Sequence, residues 1–350
     1  MPGGLLTDNP NRCANEEVLD LLRQGDVRCG TLECAFGNEP AYDEAKVADR
    51  GNVVYAKDTD VRRLKELQID VVTLANNHFF DLGVDGALHT IELLDKEGIQ
   101  HCGAGRNLEE AGKPVVREIQ GKSVAFLGFC DTKYNHVFMC TFATENSPGV
   151  NPMRKGYVAR EIKKNAALYD YVVVLAHWGV ENIFHPSAFA VKMADLMLNA
   201  GACLVLGSHP HCIQPVVNTR RGSVVYSMGN FLFPDRLIAP PKVTYYPETS
   251  IDYSTLPVTY EYPLVNCVTL KKLPYWARVG QIVVSQICED EVVSKYRFSY
   301  LNKDNCLTLL NGKKSGEAEK KIKALSWLLK RGLYSTYIAV HGKMSKFLRK

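Results

Sequence analysis

Two histidines one residue apart, in Gly207-Ser-His209-Pro-His211, come directly after the apolar run Ala202-Cys-Leu-Val-Leu206. A buried strand that ends in glycine and then presents His-x-His sets two imidazoles at the mouth of a sheet, where α/β proteins place ligands and metals. Neutral imidazole is a borderline donor suited to Zn²⁺, Mn²⁺ or Fe²⁺. A strand-end histidine is also commonly a hydrogen-bonded structural residue. Two upstream stations of the same build separate these readings. One is Val71-Val-Thr-Leu-Ala-Asn76-Asn77-His78, the other Tyr171-Val-Val-Val-Leu-Ala-His177-Trp-Gly179. Three strands that each run out into a histidine argue for one shared site.

The elements that must position these residues alternate strand and helix from Val27 to Phe233. The strands at Val71, Tyr171 and Ala202 are continuously apolar, the pattern of strands buried on both faces. Gly83 to Glu97 is apolar at helical spacing and closes on Gly98. Val158 to Leu168 and Ser187 to Asn199 read as further helices, the last stopped by Gly201. Val115-Val-Arg-Glu-Ile119 and Ser123-Val-Ala-Phe-Leu-Gly-Phe129 flank Gln120-Gly121-Lys122, the signature of a hairpin. Ile99 to Cys102 is a short strand ending in Gly103-Ala-Gly105; that glycine pair lacks the spacing of a phosphate loop and reads as a tight turn. Ser223 to Ser227 is the next strand. The segment 234–263 is rich in Pro and Tyr and reads as a loop insertion, and loops of that length are commonly functional. Alternation returns over Gly280 to Tyr300 as two antiparallel strands. The organisation expected is one domain over residues 1–310 and a basic helical extension over 315–350.

Composition narrows the class. With 350 residues, 46% of them hydrophobic, the chain can bury a full core. A net charge of +4 gives no reason to expect a nucleic-acid partner. No apolar run is long enough to span a bilayer. The 11 cysteines are scattered and form no CxxC pair, which favours reduced thiols and a cytoplasmic protein over a disulfide framework. The basic tail is either a helix docked through Leu325, Leu328, Leu329 and Leu333 or a peripheral contact to an anionic membrane surface.

Taken together, Ala75-Asn-Asn-His-Phe-Phe-Asp-Leu-Gly83, Gly98-Ile-Gln-His-Cys-Gly-Ala-Gly105, His177-Trp-Gly-Val-Glu181, Gly207-Ser-His-Pro-His211 and Tyr226-Ser-Met-Gly-Asn-Phe231 resemble the poly-γ-glutamate capsule-synthesis (CapA-type) proteins, a branch of the calcineurin-like metallophosphoesterases. The words cover the first two thirds of the chain in order and spacing. The resemblance implies a four-layer α/β sandwich with a metal site at the C-terminal ends of its strands. Thr31-Leu-Glu33 resembles the family's Asn-Leu-Glu word, which makes Glu33 the carboxylate bridging two metals. Asn77 resembles the amide-oxygen ligand, His177, His209 and His211 the imidazole ligands, and His78 the general acid beside them. Relatives open with a strand whose Gly-Asp supplies a further ligand. This sequence begins Met1-Pro-Gly-Gly-Leu, which resembles the residues just C-terminal to that Asp. The expectation is an internal methionine start, with a core strand, that ligand and any export signal upstream; if Met1 is the true start, Asp8 is the nearest carboxylate.

On that assignment one divalent ion (Mn, Fe or Zn) draws on Glu33, Asn77, His177 and His209 and is held well, while a second has Glu33, His211 and water and is held weakly. Asp81, three residues after His78, either orients that imidazole or caps the next helix; the two roles are compatible. Trp178, Glu181 and Asn230 are the candidate substrate contacts. For each a plainer role stands beside the functional one. Trp178 could be a core aromatic, Glu181 a solvated side chain or an acceptor for a ligating histidine, and Asn230 a turn residue. His185 is the remaining histidine near the site, with His89, His136 and His341 outside every matching word. Two functions of different class are open. One is a metal-dependent hydrolase of capsule or cell-surface polymer metabolism, cleaving a phosphoester or a γ-glutamyl or peptide-like bond in an anionic polymer or small molecule. The other is a non-catalytic polymer-binding component with a vestigial site.

Overall fold

A computed structural model describes residues 13–37, 53–133, 140–240, 243–245, 256–259, 265–289 and 291–331. Asp8, His136, His341 and the tail beyond Arg331 lie outside the described residues.

Side-chain alternation in the central strand organises the α/β fold. In Tyr171–His177, Val172, Val174 and Ala176 face one apolar cluster, packed with Ile162, Met193 and Met197 of two helices. Val173 and Leu175 face a second cluster with Val71, Cys102, Phe126, Leu204 and Leu206. Both faces are therefore covered, which is why the run carries no polar residue. This strand lies between Lys122–Asp131 and Leu204–Ser208, parallel to both, in a seven-stranded sheet. A three-stranded parallel sheet holds Val71–Thr73 in its centre, flanked by Cys29–Thr31 and Gln100–Cys102. Its other side packs on the helix Gly83–Lys96 and the helix Glu16–Arg23.

Local chemistry sets the element ends. The helix Ala188–Asn199 begins where Ser187 Oγ accepts the Ala190 N–H at 3.1 Å and ends before Gly201, at φ +112°. The hairpin between Val115–Ile119 and Lys122–Asp131 turns on Gln120 and Gly121, both at positive φ. Gly103, at φ +88°, is required for another reason as well: a Cβ there would lie 2.7 Å from Ala75 Cβ. Gly103 is thus a packing turn beside the Val71–Thr73 strand, while Gly105 lies in the short strand Ala104–Gly105, paired antiparallel with Gly149–Val150.

Of the segment 234–263, expected as a loop insertion, residues 241–242, 246–255 and 260–263 lie outside the described residues, and the described ones include short strands. Arg236–Ala239 pairs antiparallel with Val243–Tyr245 and with Thr269–Lys271, and Val243–Tyr245 runs parallel to Val53–Ala56. Strands of three or four residues are too short for alternation to register, and the adjacent prolines mask them. The antiparallel pair Val279–Ile287 and Val292–Leu301 forms as expected. The C-terminal helix spans Gly312–Lys330, with Ile322 and Leu325 buried and Ser326 Oγ donating to the Val216 carbonyl at 3.0 Å. No helix among the described residues is long and apolar enough to cross a membrane. All 11 cysteines are free.

Candidate metal centre

Every candidate ligand sits at or just beyond the C-terminal end of a parallel strand. Glu33 comes after Cys29–Thr31, Asn77 and His78 come after Val71–Thr73, His177 ends its own strand, and His209 and His211 lie beyond Leu204–Ser208. Parallel pairing puts these ends on one edge, with His177 in register with Ser208. The backbone bends sharply to present the last pair. His209 has φ +93° and His211 φ +53°, conformations that cost a non-glycine residue about 1–3 kcal/mol and recur at functional sites.

Glu33 is the hub. It is buried, and its Oε1 has no hydrogen-bond partner, yet this oxygen lies 3.6 Å from His177 Nε2 and 3.5 Å from His211 Nε2. One ligand atom each from Glu33, His209 and His211 fall within 4.8 Å of one another. His177 Nε2 is also 2.7 Å from Asn77 Oδ1, and its ring packs edge-on to that of His209, centroids 4.7 Å apart. An orphaned buried carboxylate oxygen facing imidazole nitrogens is costly unless a cation joins them. The residues present therefore fit a divalent ion.

The surroundings select the metal-binding tautomer of His211. His211 Nδ1 is 2.9 Å from Asn230 Oδ1, while Asn230 Nδ2 donates to the carbonyls of His211 and Ala277. An amide oxygen only accepts, so Nδ1 carries the proton and Nε2 turns its lone pair toward Glu33. Phe233 stacks on the His211 ring at 5.1 Å, and the Arg236 guanidinium lies 3.7 Å above Phe233. His177 Nδ1 meets Ser208 Oγ at 3.0 Å, and Thr31 Oγ1 donates to the same oxygen at 2.9 Å. His177 Nε2 faces Asn77 Oδ1, so without a cation Nε2 carries the proton and Nδ1 accepts from Ser208 Oγ. A cation taken between His177 and Asn77 would displace that proton; Ser208 would then accept from Nδ1 while turning its own proton to the Ala176 carbonyl, 3.5 Å away.

His78 stands beside this group with a different partner. Its Nδ1 is 2.7 Å from Asp81 Oδ2, which also accepts the Val54 N–H at 2.7 Å. Burial alone pulls the His78 pKa down, but the Asp81 charge and hydrogen bond, with Glu33 and Glu181 behind them, carry it above its ordinary value. Asp81 therefore orients His78. The next helix takes Leu82 as its N-cap, without a side-chain cap bond. Asn76 ties the two loops together, donating to the Leu32 carbonyl at 2.8 Å and accepting the His78 N–H at 2.9 Å.

The candidate substrate contacts divide. Trp178 is 0% exposed, donates its indole N–H to the Tyr226 carbonyl at 2.8 Å and belongs to the core under the helices. Asn230 fixes the His211 tautomer, a role neither substrate contact nor turn residue describes. Glu181 is exposed, near enough to bear on His78 electrostatically. His185 contacts the Pro186 carbonyl of its own loop, and His89 and His101 pair with Asp58 and Asp95. A cavity of about 780 Å³ opens onto Glu33, His209 and His211 and runs along the Cys29–Thr31 strand between Leu206 and Ile282.

Sequence reasoning passed over Asn76, Ser208 and Thr31, and also Asp131. This last residue ends Lys122–Asp131, is fully buried, and accepts the N–H groups of Lys133 and Gly179. Burial pushes its carboxyl from the ordinary 3.8 up to about 6. Between about pH 4 and about pH 6 the folded state binds the extra proton, so stability falls as pH rises through that window and stays low above it. Asp131→Asn is expected to flatten this slope and to gain about 1–3 kcal/mol near neutral pH. Urea unfolding of chelator-treated protein across the window checks it; an unchanged slope in the variant refutes the assignment.

Comparison with known proteins places these features in company. Residues 9–235 match the family model described as bacterial capsule synthesis protein PGA_cap. The chain is 34% identical over 221 residues to the capsule biosynthesis protein CapA of Bacillus anthracis, covering 62% of this chain and 52% of that protein. It is 32% identical over 220 residues to the PGA biosynthesis protein CapA of Bacillus subtilis (strain 168), covering 62% and 55%. A probable polyglutamine synthesis accessory protein of Mycobacterium tuberculosis is 27% identical over 195 residues, covering 53% and 51%. The chain spans about half the length of these curated relatives.

Proposed function

This chain belongs to the bacterial capsule synthesis protein family, and from that premise we propose that it is a metal-dependent hydrolase of poly-γ-glutamate or a related cell-surface polymer. The observation that carries the reading is the orphaned, buried Oε1 of Glu33 set between the Nε2 atoms of His177 and His211. Glu33, Asn77, His177 and His209 would hold one divalent ion well, and Glu33 with His211 a second one weakly. A cation held there supplies Lewis acidity and lowers the pKa of water toward neutrality. Asn230 keeps the ligating nitrogen of His211 unprotonated, and Ser208 can accept the Nδ1 proton of His177 once a cation takes Nε2. His78, its Nδ1 proton fixed on Asp81, gives its other proton to the leaving oxygen or nitrogen as the bond to that atom breaks. The fold reading goes with this one. Apolar clusters between the two parallel sheets and beneath each set of helices support the four-layer sandwich of the metallophosphoesterases.

The test is elemental analysis of protein purified without chelator, wild type beside His209→Ala. Wild type is expected to carry about one to two equivalents of Mn, Fe or Zn and the variant markedly less. Loaded wild type should then cleave a phosphodiester or a γ-glutamyl oligomer. A folded wild type that binds no metal and cleaves neither would overturn the reading.

A further inference from the structure

The edge that carries the metal cluster holds a second cleft, of about 320 Å³, lined by Lys133, Lys155, Ala188, Phe189 and Lys192. Lys133 lies just after the strand Lys122–Asp131. Lys155 opens the helix Lys155–Ala166 directly after the strand Pro152–Met153, and Lys192 lies in the helix Ala188–Asn199. Both strands run parallel within the sheet of His177, so the cleft and the cluster share the C-terminal strand edge.

What distinguishes the cleft is an excess of positive charge, opposed only in part by Asp131, whose carboxyl feels the Lys133 charge. All three lysines are exposed, and none enters an ion pair among the described residues. Asp195, three residues beyond Lys192, is engaged by Arg221 at 2.7 Å. Asp131, two residues before Lys133, is buried with its oxygens turned to backbone N–H groups. Neither helix has an acidic residue in its first turn, and Lys155 stands at the positive end of its own helix, where a cation is unfavourable. Folding gains nothing from three like charges converging on one cleft, whereas a bound polyanion offsets their repulsion. The Phe189 ring lies beneath Lys133, whose Nζ is 5.4 Å from its centroid, and gives the cleft an apolar floor.

We propose that this cleft is a subsite for an acidic polymer. Successive glutamyl carboxylates are taken by Lys133, Lys155 and Lys192, and the methylenes between them lie on Phe189, while another stretch of the same chain reaches the metal cluster. The proposal rests on the capsule-polymer reading above and names its substrate class. Polyglutamate fits better than nucleic acid because the cleft pairs its cations with a single buried ring and no stacking platform.

The test is fluorescence anisotropy with a fluorescein-labelled γ-linked oligoglutamate, using metal-free full-length protein at low salt. The triple variant Lys133→Gln, Lys155→Gln, Lys192→Gln is compared with Lys96→Gln, Lys163→Gln, Lys164→Gln, which removes equal charge from exposed helix ends elsewhere. The first is expected to weaken binding roughly tenfold or more, each exposed charge contact contributing a few-fold, and the second less than about twofold. Equal losses in both variants, or no binding by wild type, overturn the proposal. So does a deoxythymidylate oligomer, or a phosphatidylglycerol vesicle, bound as tightly and as dependent on these lysines. His209→Ala run alongside keeps the two readings apart. Lysine-dependent binding in a protein that never holds metal sinks the hydrolase and leaves this subsite standing, and metal uptake with lysine-independent binding does the reverse.

Discussion

Glu33→Gln protein is expected to take up no metal and yet to resist urea better than metal-free wild type. The two effects have one origin. Glu33 is 7% exposed, and its Oε1 faces two imidazole nitrogens without a hydrogen bond. A buried polar oxygen left unsatisfied costs about 1–3 kcal/mol, and more when charged. Glutamine keeps the shape, loses the charge and offers an N–H to a neighbouring imidazole, so the empty site relaxes. The same exchange removes the anionic donor shared by both ions. Loaded wild type should gain about 4 kcal/mol at a thousandfold excess of metal over Kd, a gain the variant cannot make. The order of stability is therefore loaded wild type, then Glu33→Gln with or without metal, then stripped wild type. Urea unfolding at about pH 8 reads that order beside elemental analysis. A variant that keeps its metal, or that is less stable than stripped wild type, would refute the role given to Glu33.

The ligands were legible because each lies where local pattern changes. A run of apolar residues stops, and a histidine or carboxamide stands at the break, as at Ala75-Asn-Asn-His78 and Leu206-Gly-Ser-His209. That signal is local, and strand burial produces it. The residues that tune the ligands carry no such signal. Asn230 and His211 are 19 positions apart, and their bond exists only once the strands Leu204–Ser208 and Gly222–Val225 have paired; Thr31 and Ser208 are 177 apart, and theirs exists only once two sheets have met. Trp178 shows the converse. Its place after His177 suggests substrate, but the strand continues its alternation one residue further and turns the indole into the helix-side core. The short strands within 234–263 escaped because three or four residues, β-favouring as they are, carry too little pattern beside prolines; pairing of Val243–Tyr245 with Val53–Ala56 and of Arg236–Ala239 with Thr269–Lys271 completes them.

His78→Ala should lower turnover roughly 10²–10⁴-fold while leaving metal content and substrate affinity close to wild type. His78 lies beside the ligand cluster but outside it, and its ring nitrogen bonds Asp81, so its loss removes a proton donor and no donor to the metal. Asp81→Asn is the gentler change. An amide oxygen can still accept from Val54 N–H and from His78 Nδ1, so the ring stays in place. Without the Asp81 charge, burial dominates and the His78 pKa falls. A general acid works only while protonated, so the alkaline limb of the rate profile should move to lower pH in Asp81→Asn. Leaving-group chemistry makes the assignment sharper. A nitrophenolate departs without protonation, so the His78→Ala loss should shrink on a nitrophenyl ester and persist on an alkyl ester or a γ-glutamyl amide. An equal loss on every leaving group would mean that His78 only positions substrate. No turnover by wild type or variant, with polymer bound equally by both, would mean that the chain binds its polymer without cleaving it.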